Sequence, residues 1–133
     1  MIRLAGAGLA YWALIFALGF VLGTIRVLWL APLVGLVPAT VIELPIMLTA
    51  SWFASDWLAQ RFGIATGAEA LAMGGIAFAL LMTAECALAG VLAGQTPPQW
   101  FADLQEPHAL LGLAGQVAFA LMPWLRVRGR SGR

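Results

Sequence analysis

A chain of 133 residues that is 62% hydrophobic and 10% charged, with a mean hydropathy of +0.94, does not have the composition of a water-soluble domain. Soluble domains are about half apolar and about a quarter charged, and a fold of this size cannot hide so much apolar surface from water. The formal charge of +1 excludes little as a total, but its placement is informative.

Lysine is absent, and Arg126, Arg128, Arg130 and Arg133 crowd the last eight residues. Beside an apolar helix such a cluster reads as a cytoplasmic anchor at an anionic lipid surface, and no nucleic-acid partner is expected. Cys86 is single and lies in an apolar run, so neither an intrachain disulfide nor a thiolate metal site is indicated. The all-arginine basic usage and the abundance of Ala and Gly fit a GC-rich bacterial genome.

Four apolar spans follow in order, at about 5–30, 38–60, 70–94 and 108–125, within one domain covering 1–125. The first is interrupted only by Arg26, and at about 1.5 Å per residue it exceeds a hydrocarbon core of about 30 Å. It is too long for a cleaved signal peptide and no small-residue cleavage site follows, so it reads as an uncleaved signal-anchor. Tyr11, Trp12 and Trp29 read as interfacial aromatics. Pro32, Gly35 and Pro38 punctuate the connection at 30–38, and the second helix is expected to start at Pro38, or alternatively near Pro32. Pro45 should kink that helix and leave a carbonyl one turn earlier without its partner.

A short polar connection, Asp56 to Glu69, leads to the third span with Glu85 and Cys86. Gln95 to Pro107 is the longest loop, in which Trp100, Phe101 and Leu104 form an amphipathic patch for the bilayer surface. The fourth span carries Gln116 and ends at Pro123 and Trp124, and residues 126–133 form a basic tail. Trp52, Trp57, Trp100 and Trp124 read as aromatic-belt residues, and Met47, Met73, Met82 and Met122 as core filler.

Arginine placement sets the threading. Arg3, Arg61 and the C-terminal arginines share one side, while the connections at 30–38 and 95–107 carry no Lys or Arg. By the positive-inside rule both termini are cytoplasmic. The expectation is therefore an all-α integral membrane four-helix bundle of the bacterial cytoplasmic (inner) membrane.

The intramembrane polar residues are the candidate site. Arg26 lies roughly 6 Å and Glu43 roughly 7 Å below the extracytoplasmic ends of their helices, and Glu85 and Gln116 on the order of 13 Å down. An Arg or Asp at the centre of a span costs about 2.5–3.5 kcal/mol on insertion scales. Arg26 opposite Glu43 would remove most of that cost through a charge-assisted contact. Charge counting leaves Glu85 without a cation, so it is expected to hold its proton at neutral pH or to be paired by His108. Small residues flank each polar group, and Gly19 and Gly23 form a GxxxG packing pair. Glu106 and His108 belong to the outer rim, where His108 reads as a helix-start residue. The plain alternative is that Arg26 snorkels to the interface and that the Arg–Glu pair is only a clasp for the first hairpin.

No GxSxG, HExxH, Cys/His cluster or glycine-rich phosphate loop is present, and a bis-histidine haem site is excluded by the single histidine. No catalytic residue, cofactor or metal is therefore indicated. Three functions remain. The first is an accessory or complex-forming membrane subunit, working as a homo-oligomer or with a partner membrane protein among the lipids. The second is an oligomeric proton- or cation-coupled transporter or channel module using Glu43 and Glu85. The third is a lipid- or isoprenoid-modifying enzyme using either carboxylate as acid/base.

The stretches GFVLGTIRVLWLAP (Gly19–Pro32), ELPIML (Glu43–Leu48), AE (Ala84–Glu85) and FALMPWL (Phe119–Leu125) resemble a family of short four-span inner-membrane proteins of alphaproteobacteria. The resemblance implies the same topology and the same choice of Arg26, Glu43 and Glu85, and it implies no activity, ligand or cofactor. The chain does not match the small multidrug exporters, whose key carboxylate lies in the first span, nor the Asn-rich pattern of the small fluoride channels.

Overall fold

The computed structural model describes residues 2–131, without the side chains of His108, Arg130 and Ser131. The rim assignment of His108 and the tail positions Arg130 and Arg133 lie outside the described residues. The described chain is helical, with no strand. Helix α1 (Ile2–Ile25) continues through a π-helical segment, Arg26–Leu30, into α2 (Ala31–Val34). After Gly35 come α3 (Leu36–Arg61), α4 (Gly67–Ala93), the short α5 (Pro97–Asp103) and α6 (Pro107–Ser131).

Four of these stretches, Ile2–Val34, Leu36–Arg61, Gly67–Ala93 and Ala109–Gly129, are long and apolar enough to cross a membrane. At most 17% of the most apolar stretch of each is buried inside the bundle. The outer surface is consequently a sleeve of large apolar side chains, among them Phe53, Leu33, Val91 and Phe101.

Around the bundle the order is α1, α3, α6, α4: α1 and α6 each pack against both α3 and α4, and α3 and α4 lie across a diagonal. Close approaches at three glycines accompany this order, the first at Gly8 of α1, where a Cβ would meet Ile76 of α4 at 2.6 Å. A Cβ on Gly74 of α4 would fall 1.8 Å from the Ala120 carbonyl oxygen of α6, so only glycine permits that crossing. A Cβ on Gly115 of α6 would meet Leu44 of α3 at 2.5 Å. Small residues at contact points are how helices approach when lipid supplies no hydrophobic drive.

Most of the buried core lies toward one end of the bundle. Tyr11, Leu58, Ile64, Met73 and Val127 come from the parts of the chain nearer the termini and the α3–α4 connection, and Leu81 and Phe119 close the cluster near mid-helix. The prolines explain part of this. Pro123 lies inside α6 and has no N–H, so the Phe119 carbonyl one turn earlier loses its helical donor. The Tyr11 hydroxyl donates to that carbonyl at 2.6 Å, and its ring stacks on Phe119 with centroids 4.2 Å apart. Ser51 and Ser55 of α3 are buried as well, and the Ser55 hydroxyl donates to the Trp52 carbonyl at 3.0 Å.

Several expectations are corrected. Tyr11 is not an interfacial aromatic but fully buried, held inward by that orphaned carbonyl. The first connection is a single residue, because Gly35 alone turns the chain at φ 93°, a conformation L side chains rarely adopt, and α3 starts at Leu36 rather than Pro38. The 95–107 stretch is not simply a loop. Thr96 and Gln99 form a reciprocal capping box and Pro97 stands at the first position, so α5 forms. Nor do residues after 125 leave the helix: α6 continues through Ser131. Arg126 is held at 3.1 Å from Asp56 and lies 4.1 Å from the centre of the Trp52 ring.

Arg3, Arg61, Arg126 and Arg128 thus lie at the end of the bundle formed by the termini and the α3–α4 connection. There Arg3 pairs with Glu69 and donates to the Gly63 carbonyl at 2.7 Å. Arg26 is at the other end.

Candidate functional site

The half of the bundle nearer the hairpin encloses a cavity of about 650 Å³. Its lining is mostly apolar, and each of the four long helical stretches contributes a charged or amide side chain, Arg26, Glu43, Glu85 and Gln116, beside the hydroxyls of Thr24, Thr40 and Ser51. Its floor is the buried layer of Ile15, Ser51, Leu81 and Phe119. Its roof is α5 and the residue after it, through Trp100 and Leu104.

Arg26 opens the π-helical segment, and the Ala31 N–H bonds back five residues to the Arg26 carbonyl. Pro32 accounts for the wider turn: it offers no N–H, and its ring would crowd the carbonyl one α-turn earlier. Such single π-turns recur at functional positions because they re-aim a side chain without ending the helix. The guanidinium donates to the Glu43 carboxylate of α3, with 31% and 14% of the two side chains exposed. The one-residue hairpin at Gly35 brings these two levels together.

Glu85 and Gln116 form the second polar contact. The Gln116 amide donates to the Glu85 carboxylate at 2.6 Å, joining α4 to α6. Arg26 lines the same cavity as Glu85. Counting charges along the chain treats Glu85 as unpartnered, whereas the fold supplies it with an amide donor. Thr40 lines the cavity but commits its hydroxyl proton to the Leu36 carbonyl at 2.8 Å.

Gly19 and Gly23 have different surroundings. A Cβ on Gly19 would approach the Met47 methyl of α3 at 3.2 Å, an interhelical contact within the chain. One on Gly23 would sit 3.6 Å from the Arg26 guanidinium, so Gly23 lies beside the charge and not beside another helix. The pair therefore faces the cavity inside the monomer. Glu106 is exposed just before α6 and is not among the cavity-lining residues. Among the described residues, no three His, Cys, Asp or Glu side chains are grouped for a metal.

The cavity has a lateral mouth. The lining residues that remain exposed are Phe20, Thr24, Val27 and Leu28 of the first helical stretch and Leu92 at the end of α4. The opening therefore lies between α1 and α4, on the apolar flank of the bundle. The roof was hidden from sequence reading, although T-P-P-Q at 96–99 is a legible helix start. In α5 the aromatic patch divides: Trp100 turns to the cavity and Phe101 is exposed.

No protein family model matches the chain, and no curated protein or solved structure matches it either.

Proposed function

We propose that this is a multi-pass protein of the bacterial cytoplasmic membrane, both termini cytoplasmic, of the short four-span kind that its sequence resembles. We propose further that it works without catalysis, as an accessory membrane protein that holds an amphiphile in its extracytoplasmic half. The observation that supports this reading is the cavity: about 650 Å³, largely apolar, with a charged or amide side chain from each long helical stretch. Binding sites for small molecules have this size and this mixture of apolar lining with a few convergent polar groups. A structural clasp between two helices needs neither the space nor Glu85 and Gln116.

The transporter reading is less well supported. Beyond the floor of the cavity lies the buried core, where Tyr11 stacks on Phe119 and Met73 and Ala77 are fully buried. A path to the cytoplasmic side would have to break that layer.

The test uses Gly112, which lines the cavity and would place a Cβ with no atom within 4 Å. Gly112→Phe has room for its Cβ and adds a ring to the cavity lining. After purification in mild detergent, the wild-type chain is expected to retain a stoichiometric amphiphile in denaturing mass spectrometry. Gly112→Phe is expected to lose it with an unchanged or higher melting temperature. Equal retention by both would place the bound molecule elsewhere and end this reading.

A further inference from the structure

We infer that the amphiphile's headgroup is zwitterionic, a phosphate bearing an ammonium as in an aminophospholipid, and that it enters sideways between α1 and α4. This rests on the amphiphile-holding reading above and adds the chemistry of the ligand to it.

The first argument is charge. The cavity holds one cation, Arg26, and two carboxyl groups, and Arg26 pairs with Glu43, so among the described residues Glu85 has an amide donor but no ion-pair partner. A buried carboxyl group can carry its charge only beside a counter-charge. A headgroup with only negative charge gives Glu85 no such partner. An ammonium supplies one, and the accompanying phosphate finds the guanidinium.

The second argument is the inventory of donors and acceptors. The Arg26 contact with Glu43 involves one guanidinium nitrogen, whereas a guanidinium carries five N–H groups. About a third of the side chain is still exposed beside the cavity, which leaves donors for a phosphate oxygen. At Glu85 the hydrogen bond from Gln116 occupies one carboxylate oxygen. An ionised carboxylate accepts at both oxygens and donates at neither, so its second oxygen suits an N⁺–H donor. Donor-rich and acceptor-rich groups thus stand on the π-helical segment just past α1 and on α4, on either side of the mouth.

The third argument is shape. The mouth opens on the flank, its exposed rim is apolar apart from Thr24, and the roof of α5 covers the end. An amphiphile in the surrounding leaflet can pass its head between α1 and α4 while its chains stay in lipid. A water-soluble zwitterion would have to cross the apolar sleeve or displace Trp100 and Leu104.

The test measures headgroup preference. The purified chain, stripped of lipid in detergent, is titrated with short-chain phosphatidylethanolamine, phosphatidylglycerol and phosphatidylcholine, and binding is read by native mass spectrometry. Glycerophosphoethanolamine, the same head without chains, is a fourth probe. Wild type is expected to bind the ethanolamine lipid about tenfold more tightly than the glycerol lipid, the scale of one charge-assisted hydrogen bond. The choline lipid, which has no N–H, should be intermediate, and the chainless head should not bind. Glu85→Gln keeps the shape and a hydrogen-bonding partner for Gln116, and it should bring the ethanolamine and glycerol lipids to within about twofold. Equal binding of all three lipids by wild type, or a preference that survives Glu85→Gln, overturns this inference and leaves the amphiphile-holding reading standing. Binding of no lipid at all removes both, and binding of the chainless head overturns the lateral entry.

Discussion

At Arg26 the energetic question is what happens to Glu43 when its cation is removed. Glu43 is 14% exposed, and breaking a buried pair costs about 3–5 kcal/mol. The 31% exposure of Arg26 scales that down, so Arg26→Ala is expected to cost about 2 kcal/mol. It should appear as a lower melting temperature and poorer yield in detergent. Glu85→Gln should behave differently. The replacement amide has the size of the carboxyl group and can still accept from Gln116, so stability is expected to change by less than about 0.5 kcal/mol. Similar losses for the two variants would show that the two polar contacts are not energetically distinct. The residue types were legible in the sequence, because a charge in an apolar run is conspicuous. The partner of Glu85 was not: Gln116 is 31 positions away, and no local period relates the two.

Tyr11 and Pro123 form a coupled unit that neither helix discloses alone. The proline on α6 strips the Phe119 carbonyl of its donor, and the tyrosine on α1 replaces it. Tyr11→Phe should therefore cost about 1–2 kcal/mol, the penalty of an unsatisfied buried acceptor. In a Pro123→Ala background the helix regains its N–H, and the cost of Tyr11→Phe should fall to near zero. A double-mutant cycle on thermal unfolding reads this coupling directly. Additive effects would mean that the hydroxyl bond contributes nothing beyond packing.

The α4–α6 crossing makes a second prediction for an element. Gly74→Ala forces a methyl onto the Ala120 carbonyl and is expected to cost about 3 kcal/mol or more, since no flexible side chain can yield there. Gly75→Ala, its neighbour, meets nothing within 4 Å and should be neutral or slightly stabilising. Melting temperatures of the pair separate a packing effect from helix propensity. A glycine-rich span announces close packing in general, but two adjacent glycines look alike until a second helix is placed against one of them.

For the whole molecule the distribution of arginine makes the proposed threading testable. Arg3, Arg61, Arg126 and Arg128 lie at one end of the bundle, and the exposed Gln105 lies at the other. In a Cys86→Ser background, Gln105→Cys is expected to react with a membrane-impermeant maleimide added to spheroplasts. Ala65→Cys, on the α3–α4 connection, should react only after the membrane is permeabilised. The opposite pattern would invert the topology and place the cavity in the cytoplasmic leaflet. The division of labour between the two halves is also a property of the whole molecule. One half is packed around Tyr11, Met73 and Phe119, and the other holds the cavity under α5.

By itself the sequence determined the four apolar helices, the end at which the arginines gather, and the presence of charges at matching depths near the hairpin. These follow from composition, rise per residue and the cost of charge in lipid, all of which are local or additive along the chain. Only the tertiary structure decided that α3 and α4 lie across a diagonal, that Tyr11 turns inward, and that α5 roofs a cavity whose polar groups come from separate helices. The reason is geometric: the sleeve is apolar on nearly every face, so hydrophobic periodicity cannot say which face meets which neighbour. Close approaches at Gly74 and Gly115, and one carbonyl left without a donor, make that choice.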